Sequence, residues 1–305
     1  MSRAIPTVPG GLLLLLLFLA VVGAPCGMAN AEENPAPPVR NSLDMEVSAS
    51  SLDFSEGGET ASGRLRFTAD PFDIGLSAPG RSHLECRLSG VGADLEGFSL
   101  ELKLLDASSG QSRTVRLDAA QPSASLRLFL EGPRRGLRCT PHLELGRFSA
   151  PGEHTARLRL ALRRGNGRAV ERTVEMGFGI REFVELGLAE QAMRFNVLGP
   201  ERAPSLNAPE VVVATNAASA LLVADVTDAR RDLGGERIPR ERIRIALAGS
   251  PEGARRMAGK SGGSEARIDL GRGVNRVYLA GLLDSGRLLQ HGEYSGAIRL
   301  KAGMR

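Results

Sequence analysis

The chain has 305 residues, 42% of them hydrophobic, and carries a formal net charge of +4 from 39 basic and 35 acidic residues. The two signs are interspersed, which argues against a nucleic-acid binder, whose basic charge gathers on one face. There is no tryptophan, and Tyr278 and Tyr294 are the only tyrosines, so the flat aromatic platforms typical of a sugar-binding module are missing.

Residues 1–31 read as a cleaved signal peptide. Arg3 supplies the positive start, Gly11 to Ala24 an apolar run built on Leu12 to Leu17, and Ala29-Asn30-Ala31 a small-x-small cleavage site. The run is shorter than the roughly 20 residues a spanning helix needs, and no later segment approaches that length. Pro25 stands directly before Cys26 where a lipid anchor would want a small residue, so simple cleavage is favoured over lipidation. The implied destination is the periplasm or the cell surface, with no transmembrane segment in the mature chain. Residues 32–41, with Pro35, Pro37 and Pro38, form an extended leader.

From residue 42 to 182 apolar residues recur at every second position, the signature of strands with one wet face. Leu65 with Phe67, Leu84-Cys86-Leu88, Leu100-Leu102-Leu104, Val115-Leu117, Leu126-Leu128-Leu130 and Leu158-Leu160-Leu162 all follow it. Turn residues separate the runs, and Arg164-Gly165-Asn166-Gly167 reads as a hairpin connection. The alternation lapses between Phe183 and Glu190, which predicts a boundary there. Residues 190–305 then offer seven strands: Ala192–Leu198, Glu210–Thr215, Ala220–Val226, Ile243–Ala248, Ala266–Leu270, Asn275–Leu279 and Tyr294–Lys301. Pro251 to Gly263, with four glycines, reads as a mobile connection holding at most one helical turn. The expected fold class is all-β: two tandem immunoglobulin-like β-sandwich domains, 42–182 and 190–305, with a barrel as the alternative.

A partial internal repeat supports the duplication. Gly152-Glu153-His154-Thr155 and the aliphatic alternation after it match Gly292-Glu293-Tyr294-Ser295 and its continuation. Leu52-Asp53-Phe54 and Met193-Arg194-Phe195 open the two units at nearly the same spacing.

Two cysteines remain after signal removal, Cys86 and Cys139. In an exported chain an isolated pair is expected to form a disulfide, worth about 4 kcal/mol in the chain-entropy model. The competing reading is a metal site of His83, Cys86, Cys139 and His142, since each cysteine has a histidine three residues away. Residues three apart on a strand point to opposite faces, so each pair would have to lie on a turn, which Pro141 makes conceivable for the second. No other cofactor is implied.

Gly253 to Ser261 resembles a phosphate loop, but five residues separate its glycines where four are needed. His154 and His291 lie apart from the other histidines, and Asp70 with Asp73 reads as turn caps before an acid/base pair. No nucleophile, base and orienter assemble, so the chain is expected not to be an enzyme. Arg157, Arg159, Arg163, Arg164, Arg168 and Arg172 on the hairpin, with Arg134, Arg135 and Arg138, could hold an anionic glycan. An edge protected by charge against other strands explains the same arginines, and is preferred.

The ending Gly292-x-Tyr294-x-Gly296-x-Ile298-x-Leu300 resembles the closing strand of secreted bacterial pilin-like and spore-coat-like β-sandwich domains. Val211 to Asn216, Leu221 to Asp225 and Ile238-Pro239 are similar to the middle of such domains. The resemblance implies a structural or adhesive surface protein, pilus-associated, with protein partners and self-association through strand edges. Ser42–Ala49 would be a candidate donated strand. Tandem sandwiches with basic charge also resemble periplasmic pilus chaperones, which gives the alternative of a chaperone or accessory factor. An exported metal-binding protein is the third reading.

Overall fold

The structure is a computed structural model, and it describes residues 43–304 apart from 78–79, 131–133, 166, 198–201, 233, 287–288 and 290–291. The expected signal peptide and leader lie outside the described residues. The chain is all-β, with one α-helix among the described residues.

The first eleven strands are β1 (Asp44–Val47), β2 (Ser51–Glu59), β3 (Arg64–Thr68), β4 (Phe72–Ser77), β5 (Gly80–Ser89), β6 (Ser99–Asp106), β7 (Ser112–Asp118), β8 (Ser123–Leu130), β9 (Arg135–Gly146), β10 (Gly152–Arg163) and β11 (Val170–Ile180). They pair as two layers. One layer has β9 at its centre, with β6 and then β7 on one edge and β4 and β3 in succession on the other. The second layer runs β8, β5, β10, β11 and ends on a parallel partner, the first part of β2.

Strand β2 changes layers in mid-course. Ser51–Phe54 pairs with β11, and Ser55–Glu59 then pairs with β3, with an irregularity between Glu56 and Gly58. Gly58 has φ 99°, a backbone angle that costs glycine little, and it sits at the kink. The alternation seen in the sequence becomes the inner face. Leu84, Cys86 and Leu88 of β5 and Leu137, Cys139, Leu143 and Leu145 of β9 are all buried in one apolar cluster. Phe178 of β11 ties the layers together, its ring 6.0 Å from Phe67 of β3 and 6.2 Å from Phe98.

Pro141 stands inside central strand β9, where a proline normally costs a ladder hydrogen bond. On one edge β4 is registered against Arg135 to Cys139 and β3 against His142 to Gly146, so neither is opposite Pro141. The proline falls where that edge changes partner, and β9 continues straight through it.

The second half comprises β12 (Val184–Leu188), β13 (Arg202–Pro204), β14 (Glu210–Val226), β15 (Ala229–Arg231), β16 (Arg237–Ile238), β17 (Ile243–Ala248), α1 (Pro251–Ser261), β18 (Glu265–Asp284), β19 (Tyr294–Ser295) and β20 (Ile298–Met304). Strands β14 and β18 form its spine. Strands β12 and β20 lie one after the other along the far edge of β14, while β17 takes the last part of β18. A small sheet of β16, β15 and β19 contributes Ala229, Ile238 and Tyr294 to the same second core.

The strands of this half differ from the sequence expectation in several places. Glu210–Thr215 and Ala220–Val226 are one strand, as are Ala266–Leu270 and Asn275–Leu279. The residues between them are a shared bend: the register shift at Thr215/Ser219 stands opposite Gly271 to Gly273. Both partners of a ladder must bend together, and Gly273 at φ 109° allows it. Of Ala192–Leu198, Phe195 makes only an isolated bridge to Ser205. The closing strand breaks into β19 and β20 at the rim, whereas its counterpart β10 is continuous and central. Val184–Leu188, where alternation lapses, is itself strand β12.

Pro251 to Gly263 is not a mobile connection. Ser250 caps an 11-residue helix, its Oγ accepting from Gly253 N at 3.1 Å, with Pro251 at the first position and Glu252 in the first turn. Ala254 and Ala258, four apart and fully buried, seat the helix against β17 and β18. Ser250, Pro251 and Glu252 were a readable start signal and Ala254, Met257 and Ala258 recur at helical spacing, but the four glycines of the segment hid it. The Ser250→Ala variant should lose about 1 kcal/mol, seen as faster amide exchange confined to α1. Unchanged exchange in the first turn would refute the capping assignment.

Candidate functional site

Cys86 and Cys139 occupy the inner faces of opposite layers. Cys86 is registered between Leu160 of β10 and Ala124 of β8, and Cys139 between Phe72 of β4 and Leu104 of β6. Both are fully buried and both thiols are free in the structure. Burial pushes the Cys86 thiol up to about 12, with a smaller contribution from the Glu85 charge. Burial also raises Cys139, and the charge that Cys86 would carry raises it further.

This has a pH consequence for the reduced protein. The unfolded thiol ionises near 9.0, while folded Cys86 keeps its proton to about 12. Because the folded state holds the proton more tightly, the stabilising contribution is complete below pH 9 and is lost as pH rises toward 12. Urea midpoints of the reduced chain should therefore fall more steeply above pH 9 than those of a Cys86→Ala, Cys139→Ala double variant. Parallel curves would contradict the burial.

The histidines do not join the cysteines. On β5 and β9 the buried positions alternate with half-buried ones, so His83 and His142 face outward while Cys86 and Cys139 face the core. Pro141 does not break β9 into the turn that the four-ligand reading needed. Among the described residues no group of three or more His, Cys, Asp or Glu is placed to hold a metal ion.

His154 is in part a core residue. Its ring stacks on Phe178 at 5.6 Å, and its Nε2 lies 2.8 Å from the accepting Ala150 carbonyl oxygen. His291 lies outside the described residues. Asp70 and Asp73 are both exposed, with Asp73 on β4 opposite Arg138. The Gly253 to Ser261 stretch is spent on α1.

The arginine-rich hairpin is a ladder of ion pairs on the outer face of β5, β10 and β11. Arg157 pairs with Glu175 at 3.7 Å, Arg163 with Glu85 at 3.5 Å, and Arg159 with Glu171, which also hydrogen-bonds it and raises its pKa. Arg135 pairs with Asp106, a buried carboxylate that also accepts from Ser108 N at 2.9 Å and Ser109 Oγ at 2.6 Å. Much of the charge that could have held an anionic ligand is met within the sheet.

Strand edges are the remaining surface. Among the described residues β8 pairs only with β5, β12 only with β14 and β20 only with β14. On β12, Leu186 is 40% exposed and Leu188 49%. Ser42–Ala49, read as a donated strand, is largely used at home: Asp44–Val47 is β1, paired with β4, and Met45 is fully buried in the first core.

Sequence reasoning missed the polar joint between the halves. Thr215 and Asn216 are fully buried where β14 bulges. Asn216 Nδ2 donates to the Arg181 carbonyl at 2.8 Å, Phe183 N donates to Asn216 Oδ1 at 2.9 Å, and Thr215 Oγ1 donates to the Phe183 carbonyl at 2.8 Å. Phe183 packs 6.1 Å from Phe148 and beneath the Arg147 guanidinium at 4.8 Å, and Arg147 also pairs with Glu185. A Thr-Asn pair inside an aliphatic strand was the available signal.

No protein-family model matches this chain, and no curated protein does. Among solved structures, the CupB6 tip adhesin from Pseudomonas aeruginosa is 12% identical at a TM-score of 0.37, covering 85% of this chain and 93% of that one. The CsuC–CsuE chaperone–tip adhesion subunit complex of the archaic chaperone-usher Csu pili of Acinetobacter baumannii is 13% identical at 0.34, covering 85% and 99%. CfaE, the adhesive subunit of CFA/I fimbria of enterotoxigenic Escherichia coli, is 11% identical at 0.34, covering 88% and 83%. Similarity of this degree transfers no residue role and no binding property.

Proposed function

We propose that this chain is an exported, non-enzymatic protein of two tandem β-sandwich domains, 42–182 and 190–305, that works by contact as a structural or adhesive, pilus-associated component of the bacterial surface. The observation that carries the reading is the disposition of its strands. Both cores are filled by the chain's own apolar side chains, while β8, β12 and β20 each leave one edge without a strand partner among the described residues. Unpaired N–H and C=O groups along such edges are the ordinary means by which one sheet adds a strand from another chain. The signal-peptide pattern of residues 1–31 and the closing-strand resemblance agree with this. Size-exclusion chromatography, electron microscopy and pulldown from the surface fraction test it: assembly or a specific surface partner is expected, and a strictly monomeric species without partners would overturn it.

The alternative of a periplasmic chaperone or accessory factor draws on one observation. Strand β11 pairs with β2 only along Glu175–Phe178, so among the described residues its first residues, Val170 to Val174, form ladder pairs with β10 alone. Co-purification with an unassembled subunit, lost on substituting this stretch, would favour that reading over the first.

A further inference from the structure

We propose that Cys86 and Cys139 become a cystine joining the two layers of the first sandwich, and that the bond is made before the layers close. The two residues lie on inner faces of different sheets, β5 and β9, and belong to one continuous core. Among the described residues no strand pairing links β5 to β9 directly, so a bond here would join layers that otherwise meet through side-chain packing and the crossing of β2.

The order of events follows from access. A cystine forms when one thiolate attacks a disulfide of an external oxidant, giving a mixed disulfide, and the second thiolate then displaces the oxidant's remaining sulfur. Two protons and two electrons leave the pair, and the oxidant, a disulfide oxidoreductase or a small-molecule disulfide, departs as two thiols. The mixed disulfide needs room for a second molecule at Cys86 or Cys139. Both positions are fully enclosed, with Leu160, Ala124, Phe72 and Leu104 as their strand neighbours. The closed core also keeps both thiols protonated, which removes the nucleophile. Exchange in the folded state is thus blocked by enclosure and by ionisation, in either direction. A chain folded in a reducing compartment would stay a dithiol, and one folded in an oxidising compartment would keep its cystine against external reductant.

The test uses the full chain and reads each cysteine by peptide mapping, so that Cys26 does not confuse the count. Unfolded, reduced chain is diluted into a glutathione redox buffer, then unfolded again without reductant and treated with a maleimide. Cys86 and Cys139 are expected to resist labelling until a reductant is added, and full labelling of both would overturn the bond. In a second arm, chain refolded with reductant is freed of it and exposed to oxidised glutathione. Oxidation is expected to follow the opening rate measured by amide exchange in β5 and β9, and to accelerate with denaturant. Rapid oxidation independent of denaturant would overturn the order of events. Neither arm depends on the proposed contact role.

Discussion

Replacing Phe178 by alanine should cost the first core about 3–5 kcal/mol, the range for deleting a large buried aromatic side chain. Phe178 is 2% exposed, and its ring meets Phe67, Phe98 and His154, so three elements of the first core lose a common contact. The neighbours cannot close over the gap easily, because Phe67 is held on both sides by the ladders of β3 and Phe98 directly precedes the paired strand β6. The loss should appear in urea denaturation followed by circular dichroism, as an early transition belonging to β1–β11. Amide exchange in β14 and β18 should change little, since Phe178 is no part of the second core. A change below about 1 kcal/mol, well short of that range, would show that the layers are held mainly elsewhere.

Asn216→Ala should loosen the joint by about 2–3 kcal/mol, because it strips partners from two backbone groups at once, the Arg181 carbonyl and the Phe183 N–H. Asn216→Asp should be no better. It keeps an acceptor for Phe183 N but turns a second oxygen toward the Arg181 carbonyl, with a charge buried besides. The same carbonyl belongs to the peptide bond that trypsin cuts after Arg181, whose side chain is exposed. Cleavage there should rise about 10- to 100-fold in Asn216→Ala, following the population of the opened joint. Trypsin resistance equal to that of the parent would rule out a restraining role for Asn216.

The alternation of Leu84-Cys86-Leu88 or Leu158-Leu160-Leu162 determined the all-β class from the sequence, because a period of two places every apolar side chain on one face whatever the neighbouring strand is. The hairpin at Gly165 and the strand Ile243–Ala248 were legible for the same local reason. Local pattern also set the inward direction of Cys86 and Cys139 and the outward direction of His83 and His142.

Pairing was decided only in three dimensions. Asn216 to Ser219 and Gly271 to Gly273 look like turns one at a time, yet opposite each other they are a bend shared by two long strands. Pro141 looks like a break until β4 and β3 are seen to end on either side of it along one edge while β6 runs past it on the other. Helix α1 rests on a serine cap and two buried alanines, small side chains whose worth depends on what they touch. Asn216 became a clamp only because the fold brought it against residues 181 and 183, more than thirty positions earlier in the chain. Which way a side chain points is a property of its own strand, whereas what it meets is set by chain folded back from far away.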